Sequence, residues 1–180
     1  NPTIEDLCMI TEQERKQAIT AWNTGMIETE PSTIVEQFEQ QAALHPKSVA
    51  VSYNGRHLTY EQLNQKANRF ARHLIAKGAK AETFVPLLFP RSLDMIVGIL
   101  AVLKTGAGYV PIDPSYPKDR IEYIINDVQP AIIVMAKEME LPIEMDGIEI
   151  VYLDLEAMGN DGENIEQAER QTPLNCLHPA

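Results

Sequence analysis

"LKTGAGYVPIDPSYPKDR", Leu103 to Arg120, is the stretch on which the reading of this chain turns. Two glycines stand two apart, and a run punctuated by prolines follows. Glycines at that spacing can cradle a phosphate, which would give the chain chemistry of its own, or they can shape a turn. A dinucleotide fingerprint requires G-x-G-x-x-G directly after a strand and opening a helix. Here the order is inverted. Gly106 and Gly108 follow a helical pattern and precede an extended one, and Pro111 holds the place of the third glycine. The stretch therefore predicts architecture. Gly106 is the residue just past a helix, free to take positive φ, and Gly108 is expected to turn the chain sharply into Tyr109.

Working outward, Ser92 caps the helical run "LDMIVGILAVLKT", with Asp94 in its first turn and Lys104 in its last, each placed to suit the helix dipole. The run is apolar almost all round, which predicts burial on more than one side. "TFVPLLF" before it is a strand candidate, with Pro86 counting against a central position. Beyond the glycines, "YVPI" is extended. Pro117 and Asp119 open a helix with Ile121, Ile124, Ile125 and Val128 at i, i+3, i+4 and i+7, and Pro130 ends it. "AIIVM" and "IEIVYL" (Ile148 to Leu153) read as two more strands. Strands and helices alternating at this spacing predict an α/β fold, a mostly parallel sheet flanked by helices.

Nearer the N-terminus, "TIVEQFEQQAALHP" carries a capping box at Thr33 and Glu36, with Val35, Phe38 and Ala42 on one face and Pro46 as its stop. "SVAVSYNGRHLTY" is two β-like runs around Asn54-Gly55, a strong hairpin signal. Thr59 and Gln62 form a further capping box, from which Leu63, Ala67, Phe70, Ala71 and Leu74 line one helical face up to Lys77-Gly78. Residues 1–31 differ: apart from one capped helix, "TEQERKQAITAW", with Thr11 and Glu14 as its box and Gly25 as its end, they read as an interdomain linker. Two divisions are thus expected, 1–31 and 32–180. From Asp154 to Thr172 six acidic residues accompany one arginine, with Gly159, Asn160 and Gly162 among them, and this reads as a solvated loop.

The formal net charge of −11 argues against nucleic-acid or anionic-membrane partners, which need a basic footprint. No apolar run approaches the roughly 18 to 20 residues of a membrane helix. Two cysteines, Cys8 and Cys176, frame no disulfide scaffold, so a reducing, cytoplasmic setting is expected. The chain opens "NPTIEDL" without a signal peptide or initiator methionine and closes "PLNCLHPA", and is expected to be an excerpt of a longer polypeptide. His45, His57, His73 and His178 are not at ligand spacing with one another or with a cysteine and read as surface residues. Nothing near Cys176 would lower its pKa, and the tail carboxylates lack the fixed positions of a calcium loop. No catalytic, cofactor-binding or metal-binding residue is assigned.

Two of the structural stretches also carry a resemblance. "LTYEQLN" (Leu58 to Asn64) resembles the first core motif of nonribosomal peptide synthetase adenylation domains, L-[TS]-Y-x-E-L, and "LKTGAGYVPID" (Leu103 to Asp113) the second, L-K-A-G-x-A-Y-[VL]-P-[IL]-D. "NQKANRFARHLIAKG", "LLFPRSLDMIVGILAVLK" and "DPSYPKDRIEYIINDVQP" follow the family's text, and residues 1–31 are similar to the linker between a condensation domain and the adenylation domain after it. Thr105 and Gly108 stand where alanine is usual or common, and Gln62 where glutamate is usual. The resemblance implies the first lobe of the large subdomain of an adenylate-forming enzyme, truncated before its phosphate-binding loop. It implies ATP with Mg2+, an amino-acid substrate, and a phosphopantetheine thiol on a carrier domain. The implied partners are an upstream condensation domain and the downstream remainder of the adenylation domain. The family's phosphate loop, nucleotide-binding motifs, amino-acid pocket and catalytic lysine lie beyond Ala180. A strand and a Ser/Thr/Gly-rich loop with a lysine are expected within roughly the next 20 residues. An acyl-CoA synthetase or luciferase-like relative, and a docking platform without activity, remain open alternatives.

Overall fold

The computed structural model of the chain describes residues 10–22, 32–137, 139–140, 147–154 and 161–174. It divides into two compact units, Asn1–Pro31 and Ser32–Ala180. In the first, α1 (Glu12–Lys16) starts at the expected capping box, Thr11 accepting from the Glu14 amide while the Glu14 carboxylate accepts from the Thr11 amide. The helix then widens into a π turn, Gln17–Ala21, closed by the Trp22 N–H to the Gln17 carbonyl. Gly25 lies outside the described residues.

The second unit begins with α2 (Ile34–Leu44), capped by the reciprocal Thr33 and Glu36 bonds. The hairpin follows, β1 (Val49–Tyr53) antiparallel to β2 (Arg56–Thr59). Its turn residues Asn54 and Gly55 have φ of 48° and 74°, the left-handed pair that a two-residue turn matching strand twist requires. Thr59 ends β2 and caps α3 (Tyr60–Ala76), with Gln62 completing the box. Then come β3 (Phe84–Leu88), α4 (Leu93–Thr105), β4 (Gly108–Ile112), α5 (Lys118–Val128), β5 (Ile132–Ala136) and β6 (Glu149–Leu153).

Among the described residues, β3 to β6 form one sheet in the order β4-β3-β5-β6, every pair parallel. Parallel strands need crossovers, and α4 supplies the one from β3 to β4 on one face and α5 the one from β4 to β5 on the other. Successive residues of each strand point to opposite sides. Leu87, Ile132 and Val134 join Phe70, Leu74, Val97 and Val102 of α3 and α4 in one core. Leu88, Ile133 and Met135 join Ile121 and Ile125 of α5 in the other. Complete burial of a side chain such as Phe70 or Leu74 is worth about 1.5–3 kcal/mol each, so the α3–α4 face holds most of the apolar stabilisation.

Prolines sit where the ladder tolerates them. Pro111 lies on β4, an edge strand. Pro86 does occupy an internal strand, but the pairing of β3 with β5 starts only at Leu87, so its missing N–H costs that ladder nothing. Gly108 departs from expectation. It is already the first residue of β4, opposite Phe84, and the turn is made by Gly106 alone, at φ 90°.

Candidate functional site

In an open parallel sheet, ligands bind past the carboxyl ends of the strands, where successive connections run in opposite directions. From β3 the chain crosses to β4 on one side and returns to β5 on the other, so that switch point lies between β3 and β5. Among the described residues, those at this edge that carry chemistry are few. After β3 come Pro90 and Arg91, both exposed. After β4, Asp113 folds the chain back by accepting from the Ser115 amide at 2.9 Å and the Ser115 hydroxyl at 2.7 Å. Those two bonds hold the Asp113 carboxyl below its ordinary range, against a small burial cost, with Arg91 adding a weaker pull. The Arg120 guanidinium lies 4.3 Å over the Tyr116 ring. After β5 and β6, Lys137 and Asp154 pair at 2.6 Å. Among the described residues, these are turn-forming and surface contacts.

The Gly106 turn is closed to a phosphate. Thr105, Gly106, Ala107 and Gly108 are buried. The Gly106 N–H goes to the Leu103 carbonyl at 3.0 Å, Ala107 N–H to the Thr105 hydroxyl at 3.2 Å, and Gly108 N–H to the Thr83 carbonyl at 2.9 Å. No amide of the turn is left to meet an anion. A Cβ at Gly106 would touch Leu174 Cδ2 at 3.4 Å and Ala81 Cβ at 3.5 Å. Its burial and its hydrogen bonds give this loop the architectural role that the sequence predicts.

His45 caps the C-terminus of α2 and His57 lies on β2, both exposed as expected. His73 is instead half-buried, stacked on Phe70 with ring centroids 6.4 Å apart. Burial lowers its pKa, Lys77 lowers it further, and Glu149 opposes both. His178 and Cys176 lie outside the described residues. Among the described residues no group of three His, Cys, Asp or Glu side chains is arranged to hold a metal ion. No described helix is long and apolar enough to cross a membrane.

Sequence reasoning missed the polar chemistry on the α3–α4 face. Lys104, which does stand in the last turn of α4 as expected, is also fully buried, and its ammonium pairs with the Glu39 carboxylate of α2. Burial pulls the lysine pKa down, the Glu39 bond and charge pull it up, and Arg170 and Arg72 add to the lowering. The tail is also not a solvated loop throughout. Residues 161–174 lie against α3 and α4. Ile165 is buried at 5% exposure and Arg170 at 8%, and Arg170 Nε donates to the Lys104 carbonyl at 2.8 Å. A cleft of about 260 Å3 opens between α2, α3 and this segment, lined by Glu39, Glu61, Asn64 and Glu163. Another of about 230 Å3 lies at the opposite strand edge, near Glu82, Phe84 and Gln129. A lysine at the end of an otherwise apolar helix was the available signal for the first of these features.

The fold of the described residues is a parallel sheet with helices on both faces. It is shared with the structure of a nonribosomal peptide synthetase, FmoA3, in its α-methyl-L-serine-AMP bound form: TM-score 0.71 at 23% identity, covering 84% of this chain and 18% of that one. Residues 38–177 match the family of AMP-binding enzymes, and the chain belongs to that family. It is 46% identical over 131 residues to a dimodular nonribosomal peptide synthase of Bacillus subtilis (strain 168), covering 73% of this chain. It is 36% identical over 179 residues to gramicidin S synthase 2 of Aneurinibacillus migulanus, covering 97% of this chain. The chain spans only 6% and 4% of the length of those two relatives.

Proposed function

We propose that the chain is the N-terminal part of an amino-acid-activating adenylation domain, working within a nonribosomal peptide synthetase. Residues 1–31 serve as the linker from a preceding condensation domain, and residues 32–180 as the first lobe of the adenylation domain's large subdomain. The observation that carries this reading is the ordered motif series. Leu58–Asn64 forms the capped entry to α3, and Leu103–Asp113 the end of α4, the Gly106 turn and strand β4. The peptide synthetases named above match across both stretches.

The reaction has two halves. An amino-acid carboxylate oxygen attacks the α-phosphorus of ATP, held with Mg2+, and pyrophosphate leaves with the broken phosphoanhydride bond. The thiol of a carrier-borne phosphopantetheine then attacks the acyl carbonyl, loses its proton and releases AMP. Stabilising charge in such a transfer needs converging N–H donors and cations. This reading gives that task to the rest of the domain, and to residues 32–180 the support of the sheet edge on which the site is built.

The test is amino-acid-dependent ATP–pyrophosphate exchange by the full-length polypeptide, followed by transfer of labelled amino acid to its carrier thiol. Exchange stimulated by one or a few amino acids, with label on the carrier and background exchange from the 180-residue chain alone, supports the proposal. Exchange driven by a fatty acid with acyl transfer to free coenzyme A would overturn it in favour of an acyl-CoA synthetase. Exchange by the 180-residue chain itself would overturn the division of labour.

A further inference from the structure

The segment 161–174 is held by an arrangement that nothing in the proposed reaction uses. All five N–H groups of the Arg72 guanidinium, on α3, are taken by this one segment. Nε donates to Glu169 Oε2 at 2.6 Å and one terminal nitrogen to Glu169 Oε1 at 3.0 Å, a two-pronged grip on one carboxylate. The remaining donors reach the backbone carbonyls of Asp161 (3.2 Å), Glu163 (2.9 Å) and Asn164 (3.3 Å). Asn68, fully buried on the same helix, donates to the Gly162 carbonyl at 2.8 Å. Gly162 fits because it has no side chain: a Cβ there would lie 2.9 Å from Gln65 Cγ and 3.0 Å from Gln65 Cβ.

Against this polar grip the apolar attachment is small. Ile165 is the buried apolar side chain of the segment, and Leu174 is half-buried beside Gly106. The Arg72 side chain keeps 22% of its surface in water and that of Glu169 keeps 33%. Contacts of this kind give high geometric specificity and a low resistance to opening, whereas the sheet beneath is sealed by apolar packing.

We infer that residues 161–174 form a strap that opens and closes as one element, with the Arg72 guanidinium as its latch, while the parallel sheet stays folded. Closed, the strap forms one wall of the cleft that contains Glu39, and its Arg170 lies on the Lys104 carbonyl. Opening therefore gives water and reagents a route to the Lys104 ammonium. The device is independent of the reaction proposed above, since it needs no nucleotide and no substrate.

Hydrogen-exchange mass spectrometry on the full-length polypeptide tests it. Peptides covering 161–174 are compared with peptides covering 84–88 and 132–136, in the native chain and in Arg72→Lys, Glu169→Gln and Gly162→Ala. Arg72→Lys keeps the charge and removes the fork. The expected result is a protected strap in the native chain, with exchange accelerated about tenfold or more in each variant and the sheet peptides unchanged. Acetylation of Lys104 by N-hydroxysuccinimide acetate should accelerate in the same variants. Strap peptides exchanging freely in the native chain, or strap and sheet accelerating together, would overturn the proposal. So would variants without effect on the strap, or a Lys104 labelling rate that ignores strap opening.

Discussion

Helix α3 and the strap at 161–174 meet along one face of the domain and are stabilised by opposite means. α3 turns Leu63, Ala67, Phe70, Ala71 and Leu74 inward, all of them 3% exposed or less, and closes its own N-terminus with Thr59 and Gln62. The strap has the short 3-10 turn Gln167–Glu169 and a few local bonds, with the Glu163 amide on Asp161 Oδ1 and the Leu174 amide on Gln167 Oε1, and is fixed to the domain by a guanidinium that arrives from 89 to 97 residues away. α3 needs its neighbours for burial but carries its geometry within itself. The strap carries only its local turns, and its docked position comes from α3. One face thus holds a layer stabilised by area and a layer stabilised by directional bonds, and the two should respond differently to the same insult.

The sharpest way to break that contrast is Phe70→Ala. A fully buried phenylalanine removed from the α3–α4 core should cost about 3–5 kcal/mol. Thermal unfolding of the complete domain should shift down with strap and sheet together, because the strap has nothing to close on without α3. Loss of strap protection alone would reverse the assignment of which layer supports which. Next in size is Glu39→Gln, which leaves the Lys104 ammonium buried without a counter-charge. Breaking a buried pair from one side costs about 3–5 kcal/mol, and its lower end applies here because Glu39 keeps 19% of its side-chain surface exposed. Replacing Lys104 by methionine in the same chain should restore much of the loss, as denaturant midpoints would show. An additive double variant would mean that the two groups do not act as a pair.

Gly106→Val sharpens the comparison from the strap's far end. Positive φ strains a β-branched residue, and its Cβ would also press on Leu174 and Ala81. A stability loss of about 1–3 kcal/mol is expected, with unaltered ATP affinity in whatever folds. An unchanged melting temperature beside weakened ATP binding would restore the phosphate-loop reading. The smallest effect is one of pH. Arg72 holds the Glu169 carboxyl below the ordinary glutamate range, helped by the Glu166 amide and Arg170 and opposed by burial. A depressed carboxylate contributes above its unfolded pKa and loses that contribution as pH falls through the folded value. Strap protection should thus be level near neutral pH and decline in acid, and the decline should shrink in Glu169→Gln, with the Asp161 carboxylate, 3.4 Å from Arg72 Nε, keeping the remainder. A strap that loosens instead as pH rises would contradict the Arg72–Glu169 grip.

The elements that were legible are those whose signals are local. The capping boxes at Thr11, Thr33 and Thr59, the Asn54-Gly55 turn and the Gly106 stop each involve residues within a few positions, so the sequence contains both partners of the interaction side by side. The isoleucines of α5 and the apolar face of α3 are legible for the same reason, through helical period. Two features escaped that reading, the burial of Lys104 against Glu39 and the docking of the tail that reads as solvated, and they share a cause. Their partners, Glu39 for Lys104 and Arg72 for the tail, lie tens of residues away, where neighbours in sequence give no sign of them.

Local pattern, read from the sequence by itself, determined the α/β alternation, most element boundaries, the architectural role of the glycines and the ordered motifs of the family. Tertiary structure decided the strand order β4-β3-β5-β6, the acceptance of Pro86 inside the sheet, the burial of Lys104 against Glu39 and the docking of the strap. Each of these pairs groups tens of residues apart. Whether a charge sits in water or against its counter-charge depends on which surfaces the fold brings together, and no periodicity in the chain encodes that.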